Sequence, residues 1–313
     1  MKLRDVELAI MPWDLPDVES VEIEESPQVV DLAEEPRAYK GKPPEEPIKI
    51  AFVDGVRRTE YAVYLVDREG SSYSGAFVSL ASGSILLELS SINHVRDSLD
   101  YIMEKYLVVN YPGSLQEEEV LGFKVRNTEG DVSSYINYIL REEMEVQSTK
   151  EVLKQNPDLV ICDGSLSYKL KNLSHPIVGY VKTIKKLFIP KEHTNLIQEL
   201  NVGERTPIVK VHYQRTHEEE EKVERYTWYV KLSEGTGIST VARLETFSTL
   251  PLEEVVRIAN LTTGILYRFA SKPFQDVRSP QNLLPIGKLE KFLRSHLGNH
   301  TFIRRVIERA FHM

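Results

Sequence analysis

The fold of this chain is indicated first by two apolar stretches that each run into an Asp-Gly pair, IKIAFVDG at residues 48–55 and LVICDGS at residues 159–165. Each pattern is typical of a buried β-strand that ends in turn residues. If the two strands are neighbours in one sheet, Asp54 and Asp163 converge at its carboxyl edge, where α/β proteins place ligands. Two carboxylates there suit magnesium or manganese. The alternative is a pair of ordinary turn-forming dipeptides.

Composition limits the class of protein. The 313 residues suffice for one large domain or two smaller ones, and 41% hydrophobic residues suffice for a core. The sequence has no uninterrupted apolar run of membrane-spanning length and no secretory-type apolar segment near Met1, so no membrane association is expected. A single cysteine, Cys162, excludes an internal disulfide and favours a cytoplasmic protein.

The net charge of -8 argues against a protein that coats nucleic acid generally, because such proteins are usually basic. It leaves open a nucleic-acid enzyme that confines its positive charge to a groove and keeps carboxylates for metal. Charge alone does not decide between these classes.

The N-terminal region differs in composition from the rest of the chain. Residues 14–47 are acidic, punctuated by proline and poor in aromatic residues, which predicts an extended arm or linker. We therefore divide the chain into an arm at residues 1–45 and a folded domain at residues 46–313. The apolar residues between Leu3 and Trp13 fit either a contact with a partner subunit or a partly ordered tail.

From Ile48 onward the pattern predicts mostly strands. Asp54 is expected to end the first strand, residues 60–67 and 72–80 to form a hairpin, and residues 84–89 to pair beside them. Further strands are predicted at residues 226–232 and 238–245, with a solvated hairpin tip at residues 218–221. Helices are predicted at residues 252–270 and around residues 289–293.

A helix predicted over residues 131–154 carries a cluster of glutamates. At about 100° per residue, Glu143 falls on the apolar face and Glu145 points the opposite way. A carboxylate on a buried face must be paired, lie at the rim or hold a metal, because burying it alone is costly. The alternative is that Glu142, Glu143 and Glu145 form a solvated cluster.

The segment after Asp163 is rich in lysine, with tyrosines interleaved. Lysines neutralise phosphates and aromatic rings stack on bases, so this composition suits a nucleic-acid groove. It equally fits the exposed face of an ordinary strand and loop.

Several short segments, in order, resemble the NurA family of nucleases. They are DGVRR at residues 54–58, REEME at 141–145, DGSL at 163–166, GYVKT at 179–183, RLE at 243–245 and SPQNLLPIG at 279–287. The last of these, with Leu289 and Glu290, is similar to the C-terminal signature of the bacterial branch. The resemblance covers about residues 46 to 300.

The resemblance implies an α/β fold with an RNase H-like core, in which helices flank a mixed central β-sheet. It implies a homodimer with a manganese- or magnesium-dependent nuclease activity. It also implies action on DNA ends, in double-strand break repair, together with the hexameric ATPase HerA. By motif, Asp54 and Asp163 take the roles of catalytic metal ligands, and the middle glutamate is Glu143 or Glu145, with helical phase favouring Glu143. Lys182 matches the family's lysine segment and is expected near the scissile phosphate.

One departure concerns the last ligand. The archaeal branch has a tyrosine-proline segment followed by a metal-binding histidine, whereas this chain has Leu284 and Pro285 with no histidine in the matching place. Glu290 and Asp276 are the candidates to replace it. The candidates for contact with nucleic acid are Arg57, Arg58, Tyr168, Lys169, Lys182, Arg243 and Arg278.

Two other functions remain open at this stage. The chain could be a non-catalytic DNA-binding or adaptor subunit of an ATPase ring, which would bind DNA without cleaving it. It could also be an RNase H-like nuclease that acts on RNA or on RNA–DNA hybrids.

Overall fold

The computed structural model describes residues 6–11, 29–44, 47–90, 94–113, 117–213 and 223–312, together with Met1 and Leu115. The hairpin tip predicted at residues 218–221 lies outside these ranges. The strands are β1 Val6–Ile10, β2 Val29–Leu32, β3 Tyr39–Lys40, β4 Ile48–Asp67, β5 Ser72–Ser90, β6 His94–Val109, β7 Glu119–Val120, β8 Phe123–Asn127, β9 Leu159–Asp163, β10 Ile177–Val181, β11 Glu204–Arg205, β12 Val209–Tyr213, β13 Val223–Lys231 and β14 Val241–Phe247.

Helices lie between and after the strands. They are α1 Val132–Tyr138, α2 Glu145–Leu153, α3 Asn195–Glu199, α4 Leu252–Phe269, α5 Leu284–His296 and α6 His300–His312, with a π-helix at Ile139–Met144 and short 3₁₀ turns at Tyr168–Leu170, Lys191–His193 and Ile238–Thr240. The helices predicted over residues 131–154, 252–270 and around 289–293 are present. Helix α6 was not predicted. Within the described part of the chain, no helix is long and apolar enough to cross a membrane.

One large mixed sheet organises the molecule. Its main path runs β2-β12-β13-β14-β10-β9-β4-β5-β6-β8-β7, and β1 pairs with β4 off this path. Strand β9 is parallel to both β4 and β10, whereas β4, β5 and β6 form an antiparallel meander. Helices flank this sheet, which confirms the predicted α/β class and is consistent with an RNase H-like core.

Strand β4 is longer than predicted. Asp54 does not end it: the extended backbone continues to Asp67, and Asp54 pairs with Gly83 of β5. What ends at this point is the pairing on the other side, because the β4–β9 register stops at Val53 and Cys162. Residues 84–89 are likewise the end of β5, not a separate strand, because β5 pairs with the whole length of β4.

The two faces of β4 are packed by different helices, as the alternation of a strand requires. Ile50 and Phe52 belong to a core shared with α4 and α5, through residues such as Ile258 and Leu289. Ala51 and Val53 face the opposite side, where they pack with Val146 and Val152 of α2. A side chain at position 54 therefore faces α5, and the backbone at position 55 faces α2.

The N-terminal region takes part in the sheet. Strand β1 pairs with the second half of β4, and β2 pairs with β12. Glu34 accepts hydrogen bonds from buried Arg205 at 2.5 and 2.9 Å, which fixes the segment that follows β2. Within the predicted arm, β2 and β3 thus pair with other strands of the sheet, and residues 12–28 lie outside the described ranges.

Candidate metal centre

Three carboxylates converge where β9 ends beside the middle of β4. Phe52 of β4 is paired with Ile161 of β9, so two residues further on Asp54 and Asp163 project from the same face. Helix α5 covers this face and contributes Glu290. Within the described residues, one oxygen from each of Asp54, Asp163 and Glu290 lies within 4.8 Å of the others. The predicted convergence of Asp54 and Asp163 is therefore present in the structure.

Asp54 is the most buried member of this carboxylate cluster, at 7% exposure. Its Oδ1 accepts a hydrogen bond from the Gly55 backbone N–H at 2.7 Å, whereas Oδ2 is buried with no hydrogen-bond partner among the described residues. Burial raises the pKa of Asp54 well above its usual value, and the nearby charges of Asp163 and Glu145 raise it further. An unpaired buried carboxylate oxygen is costly, so a bound cation would remove the cost.

Lys182 supplies a fixed positive charge beside the cluster. Its Nζ donates to Asp163 Oδ2 at 2.7 Å and to Asn282 Oδ1 at 3.0 Å. Burial would lower the pKa of Lys182, but the charges of Asp163 and Asp54 outweigh it and hold this pKa above its usual value. Lys182 is therefore a permanent cation that faces the carboxylates, and it compensates only part of their charge.

The two candidates for the last ligand occupy different positions. Glu290 belongs to the cluster, whereas Asp276 accepts hydrogen bonds from Asn282 Nδ2 at 2.6 Å and from the Arg278 backbone N–H at 2.7 Å. Burial would raise the pKa of Asp276, but the hydrogen bonds from Asn282 and the Arg278 backbone, together with the charges of Lys182 and Arg278, outweigh burial and lower this pKa. Of the two, the structure brings Glu290 to Asp54 and places Asp276 behind Asn282.

The phase predicted for the glutamate helix is wrong. Glu145, not Glu143, lies on the buried side, and Glu143 is 36% exposed with Arg126 Nη2 at 3.8 Å. The reason is the π-helix: the backbone N–H of Glu145 bonds to the carbonyl of Leu140, five residues earlier. The extra residue in this turn shifts the buried positions of the following helix by one residue, from 143 toward 145. A prediction that assumes a constant step of about 100° per residue does not include this shift.

Glu145 approaches the sheet from the face opposite the cluster. A Cβ added to Gly55 would lie 2.7 Å from Glu145 Oε1, so glycine at this position is what lets the carboxylate reach β4. Burial raises the pKa of Glu145 to about 7; Arg141 opposes this shift and Asp163 adds to it. Glu145 thus acts electrostatically on Asp54 and Asp163 from behind the sheet.

The predicted contacts with nucleic acid divide into internal and exposed residues. Arg243 is buried, with its guanidinium 3.5 Å from Glu245 and stacked on Phe188, and Arg58 donates to the fully buried Glu60 at 2.7 and 2.9 Å. These ion pairs give both arginines a structural role, and their predicted contact with nucleic acid is not supported by any exposed, unpaired charge.

The other candidates lie nearer the surface. Arg57 donates to Asn137 Oδ1 at 2.8 Å, and Lys169 is exposed, with its ammonium 3.0 Å from the Glu142 carbonyl. Tyr168 begins a 3₁₀ turn, and Arg278 is exposed on the loop before α5. Their contact with nucleic acid stays a prediction.

Sequence reasoning did not identify two supports of the site. Arg141 donates to the Asp163 carbonyl at 2.8 Å, directly over Gly164, whose positive φ of 89° favours glycine. Buried Glu245 accepts from the Leu166 backbone N–H at 3.0 Å and from Arg225 at 2.6 Å. Both residues fix the loop that follows Asp163. In the sequence, the only sign of a role for Arg141 is its position next to the glutamates at 142, 143 and 145.

Comparison with known proteins adds a family match. The family model described as "NurA domain" matches residues 48–286, more than half of the chain. No curated protein matches the chain. The matched range contains Asp54, Glu145, Asp163 and Lys182, and Glu290 lies just beyond it.

Proposed function

The chain belongs to the NurA family of nucleases, and from this premise we propose that it is a metal-dependent deoxyribonuclease whose site is the cluster of Asp54, Asp163 and Glu290. The observation that carries the proposal is Asp54 Oδ2, a buried carboxylate oxygen without a hydrogen-bond partner among the described residues, which lies among other carboxylates. Such an arrangement fits a divalent cation, because hard oxygen ligands suit magnesium and manganese.

Each residue of the site has a distinct role in the proposed reaction. Asp54, Asp163 and Glu290 would hold Mn²⁺ or Mg²⁺, and Glu145 would add negative charge from behind β4. A bound cation of this kind activates water and stabilises the leaving oxygen of a phosphodiester. Lys182 would pair with a non-bridging oxygen of the scissile phosphate and offset the charge that develops there.

The wider biological role rests on family membership alone. We propose that the protein acts as a homodimer in the cytoplasm, on single- or double-stranded DNA ends, together with a HerA-type hexameric ATPase in double-strand break repair. We propose no membrane partner. Stimulation of end degradation by a purified ATPase of that type would test this part separately from the chemistry.

A substrate panel tests the activity. We expect the protein with Mn²⁺ to cleave single- or double-stranded DNA, and we expect EDTA or the substitution Asp163→Ala to abolish cleavage while the melting temperature stays measurable. Asp100→Ala, which removes an exposed carboxylate of β6, is the matched control and should leave the rate unchanged.

The same panel separates the alternatives. Cleavage confined to RNA or to hybrids would move the protein to the RNase H-like class. DNA binding without metal-dependent cleavage would identify a non-catalytic subunit. Unchanged manganese-dependent cleavage by the Asp163→Ala protein would show that the site lies elsewhere.

A further inference from the structure

Asn282, at the end of the loop before α5, lies between Lys182 and Asp276. It is 4% exposed, and its side-chain amide makes two hydrogen bonds. Oδ1 accepts from Lys182 Nζ at 3.0 Å, and Nδ2 donates to Asp276 Oδ2 at 2.6 Å. Neither Asn282 nor Asp276 belongs to the carboxylate cluster, yet the path from Asp276 through Asn282 and Lys182 ends on Asp163.

The chemistry of these partners allows only one orientation of the amide. An ammonium group only donates hydrogen bonds and a carboxylate only accepts them, so the oxygen of Asn282 must face Lys182 and its nitrogen must face Asp276. Turning the amide over would place donor against donor and acceptor against acceptor. Asp276 therefore fixes which atom of Asn282 meets Lys182.

The backbone around Asn282 is fixed as well. Its carbonyl accepts from the Ser271 N–H at 3.0 Å and its N–H donates to the Arg278 carbonyl at 3.1 Å. The preceding carbonyl, of Gln281, accepts from the Tyr180 hydroxyl at 2.6 Å. Tyr180 and Lys182 lie two residues apart on one face, so the residue that holds Lys182 is itself tied to β10.

We propose that Asn282 is a positioning residue that holds the Lys182 ammonium against the carboxylate cluster, in an orientation set by Asp276. This rests on the proposed function, because it assigns Lys182 to the reacting phosphate. A lysine side chain has four rotatable bonds, and holding it in one conformation costs entropy. Asp163 also serves as a metal ligand, so Asn282 gives Lys182 an anchor that does not depend on that carboxylate.

A double-mutant cycle tests the proposal. We expect Asn282→Ala to lower kcat for DNA cleavage about 10-fold or more with little change in KM. The reason is that the substitution disturbs the position of Lys182 in the transition state and leaves the binding of DNA unchanged. In a Lys182→Ala background, the same substitution should cost almost nothing further. An equal loss in both backgrounds would overturn the proposal, as would an unchanged kcat in the single variant.

The matched control is Asn260→Ala. Asn260 Oδ1 also accepts from a cation, the guanidinium of Arg205, at 2.9 and 3.1 Å, but it belongs to a separate network on α4. This variant should keep the wild-type kcat. A loss as large as that of Asn282→Ala would show that removing any such asparagine impairs the enzyme, and it would overturn the specific role.

An exchange of groups between the two positions provides a second test. Asn282→Asp alone sets two carboxylates against each other and should lower kcat at least as much as Asn282→Ala. Adding Asp276→Asn supplies an amide donor to the introduced carboxylate, which can still accept from Lys182. We expect the double variant to recover to within a few-fold of wild type, and failure to recover would contradict the orientation argument.

Crystal structures separate this inference from the proposed function. In Asn282→Ala we expect Lys182 Nζ to leave its position near Asp163 Oδ2 or to occupy several positions. If Nζ stays within hydrogen-bond distance of Asp163 there, the inference fails. If the wild-type protein hydrolyses no phosphodiester with Mn²⁺, the proposed function fails, whatever the position of Lys182.

Discussion

Asp54 lowers the stability of the folded protein and is also the residue best placed to bind a cation. It lies inside a buried strand, its Oδ2 has no hydrogen-bond partner among the described residues, and its pKa is raised by burial and then by Asp163 and Glu145. A group whose pKa rises on folding destabilises the folded state when it is ionised. Without a cation, the ionised Asp54 carboxylate therefore lowers the free energy of unfolding at neutral pH.

A neutral substitution of Asp54 separates its effect on stability from its effect on metal-dependent cleavage. Asp54→Asn removes the charge and keeps the shape, so the metal-free protein at pH 7.5 should melt a few degrees higher than wild type. Cleavage should fall by about 10³-fold, since several kcal/mol of transition-state stabilisation is lost with the metal. Thermal melts in EDTA and initial rates in Mn²⁺ measure both, and a lower melting temperature in EDTA would contradict the electrostatic account.

The two aspartates could be predicted from sequence because both directly follow apolar strand residues of the same kind. The third carboxylate of the cluster could not be assigned in the same way. Glu290 lies on α5, far along the chain, and only the packing of that helix over Phe52 and Ile85 brings it to Asp54. Asn282 lies within the SPQNLLPIG segment, but the sequence assigned it no role of its own, because an asparagine in a proline-containing loop usually serves a turn.

At the scale of elements, the π-helix decides which glutamate is buried against β4. Glu145 is buried against Gly55, whereas Glu143 is directed toward Arg126. Periodicity predicted the existence and length of this helix correctly, and the N-cap is Asp131, whose side chain accepts from the Ser134 N–H at 2.7 Å. The extra residue in the turn has no signal in the apolar pattern.

A matched pair of substitutions tests this assignment. Glu145→Gln should lower metal-dependent cleavage by about 10-fold or more, because it removes a buried charge that acts on Asp54 and Asp163. Glu143→Gln changes the same chemical group two residues away and should leave cleavage within about 2-fold. Rates in Mn²⁺ measured under identical conditions check this, and the reverse order would restore the helical-phase prediction.

A second element-scale feature is the attachment of the C-terminal helices to β4. Arg58 donates to Glu60 and also to the carbonyls of Leu297 and Gly298, at 3.0 and 3.1 Å, in the turn between α5 and α6. Ser79 donates to the same Glu60 oxygen at 2.6 Å. Arg58 thus connects the central strand to the segment that follows α5.

Arg58→Ala should therefore affect stability and not DNA recognition. Removing the guanidinium leaves the fully buried Glu60 with the Ser79 hydroxyl and His300, at 3.5 Å, in place of a permanent cation, and we expect a loss of about 3–5 kcal/mol in the free energy of unfolding. Arg278→Ala, at an exposed arginine, should keep the stability and lower the salt dependence of DNA binding by about one unit of slope. Denaturant unfolding and salt titrations check both, and weaker DNA binding by a fully stable Arg58→Ala protein would restore it as a contact.

At the scale of the whole molecule, the carboxylate cluster lies in mid-sheet, where the long strand β4 has β5 antiparallel on one side and the short β9 parallel on the other. Sequence predicted the class of fold but placed Asp54 at a strand end, because Asp-Gly is both a turn signal and an acceptable interior pair. Strand β4 continues past it since β5 pairs along its full length, and only that tertiary pairing distinguishes the two cases. The carboxylates of Asp54 and Asp163 are therefore attached to paired strands that hold them close together. Their negative charges repel each other there.

This repulsion predicts how the stability of the whole protein depends on pH. The pKa of Glu145 is raised by burial from 4.5 to about 7, and that of Asp54 is raised as well. Between pH 5 and pH 7.5 the folded state therefore binds more protons than the unfolded state, so stability falls as pH rises. For Glu145 the fall is on the order of 3 kcal/mol, and Glu145→Gln should flatten the profile measured by denaturant unfolding in EDTA.

A divalent cation should reverse this dependence, because metal and protons compete for the same carboxylates. At pH 7.5 a cation at about 100 times its dissociation constant should stabilise the folded protein by roughly 3 kcal/mol. At pH 5.5 the same concentration should stabilise it much less. Melting curves with Mn²⁺ at both pH values measure the difference, and Asp54→Asn should abolish the shift at both. An equal shift at the two pH values in wild type would place the bound cation outside the carboxylate cluster.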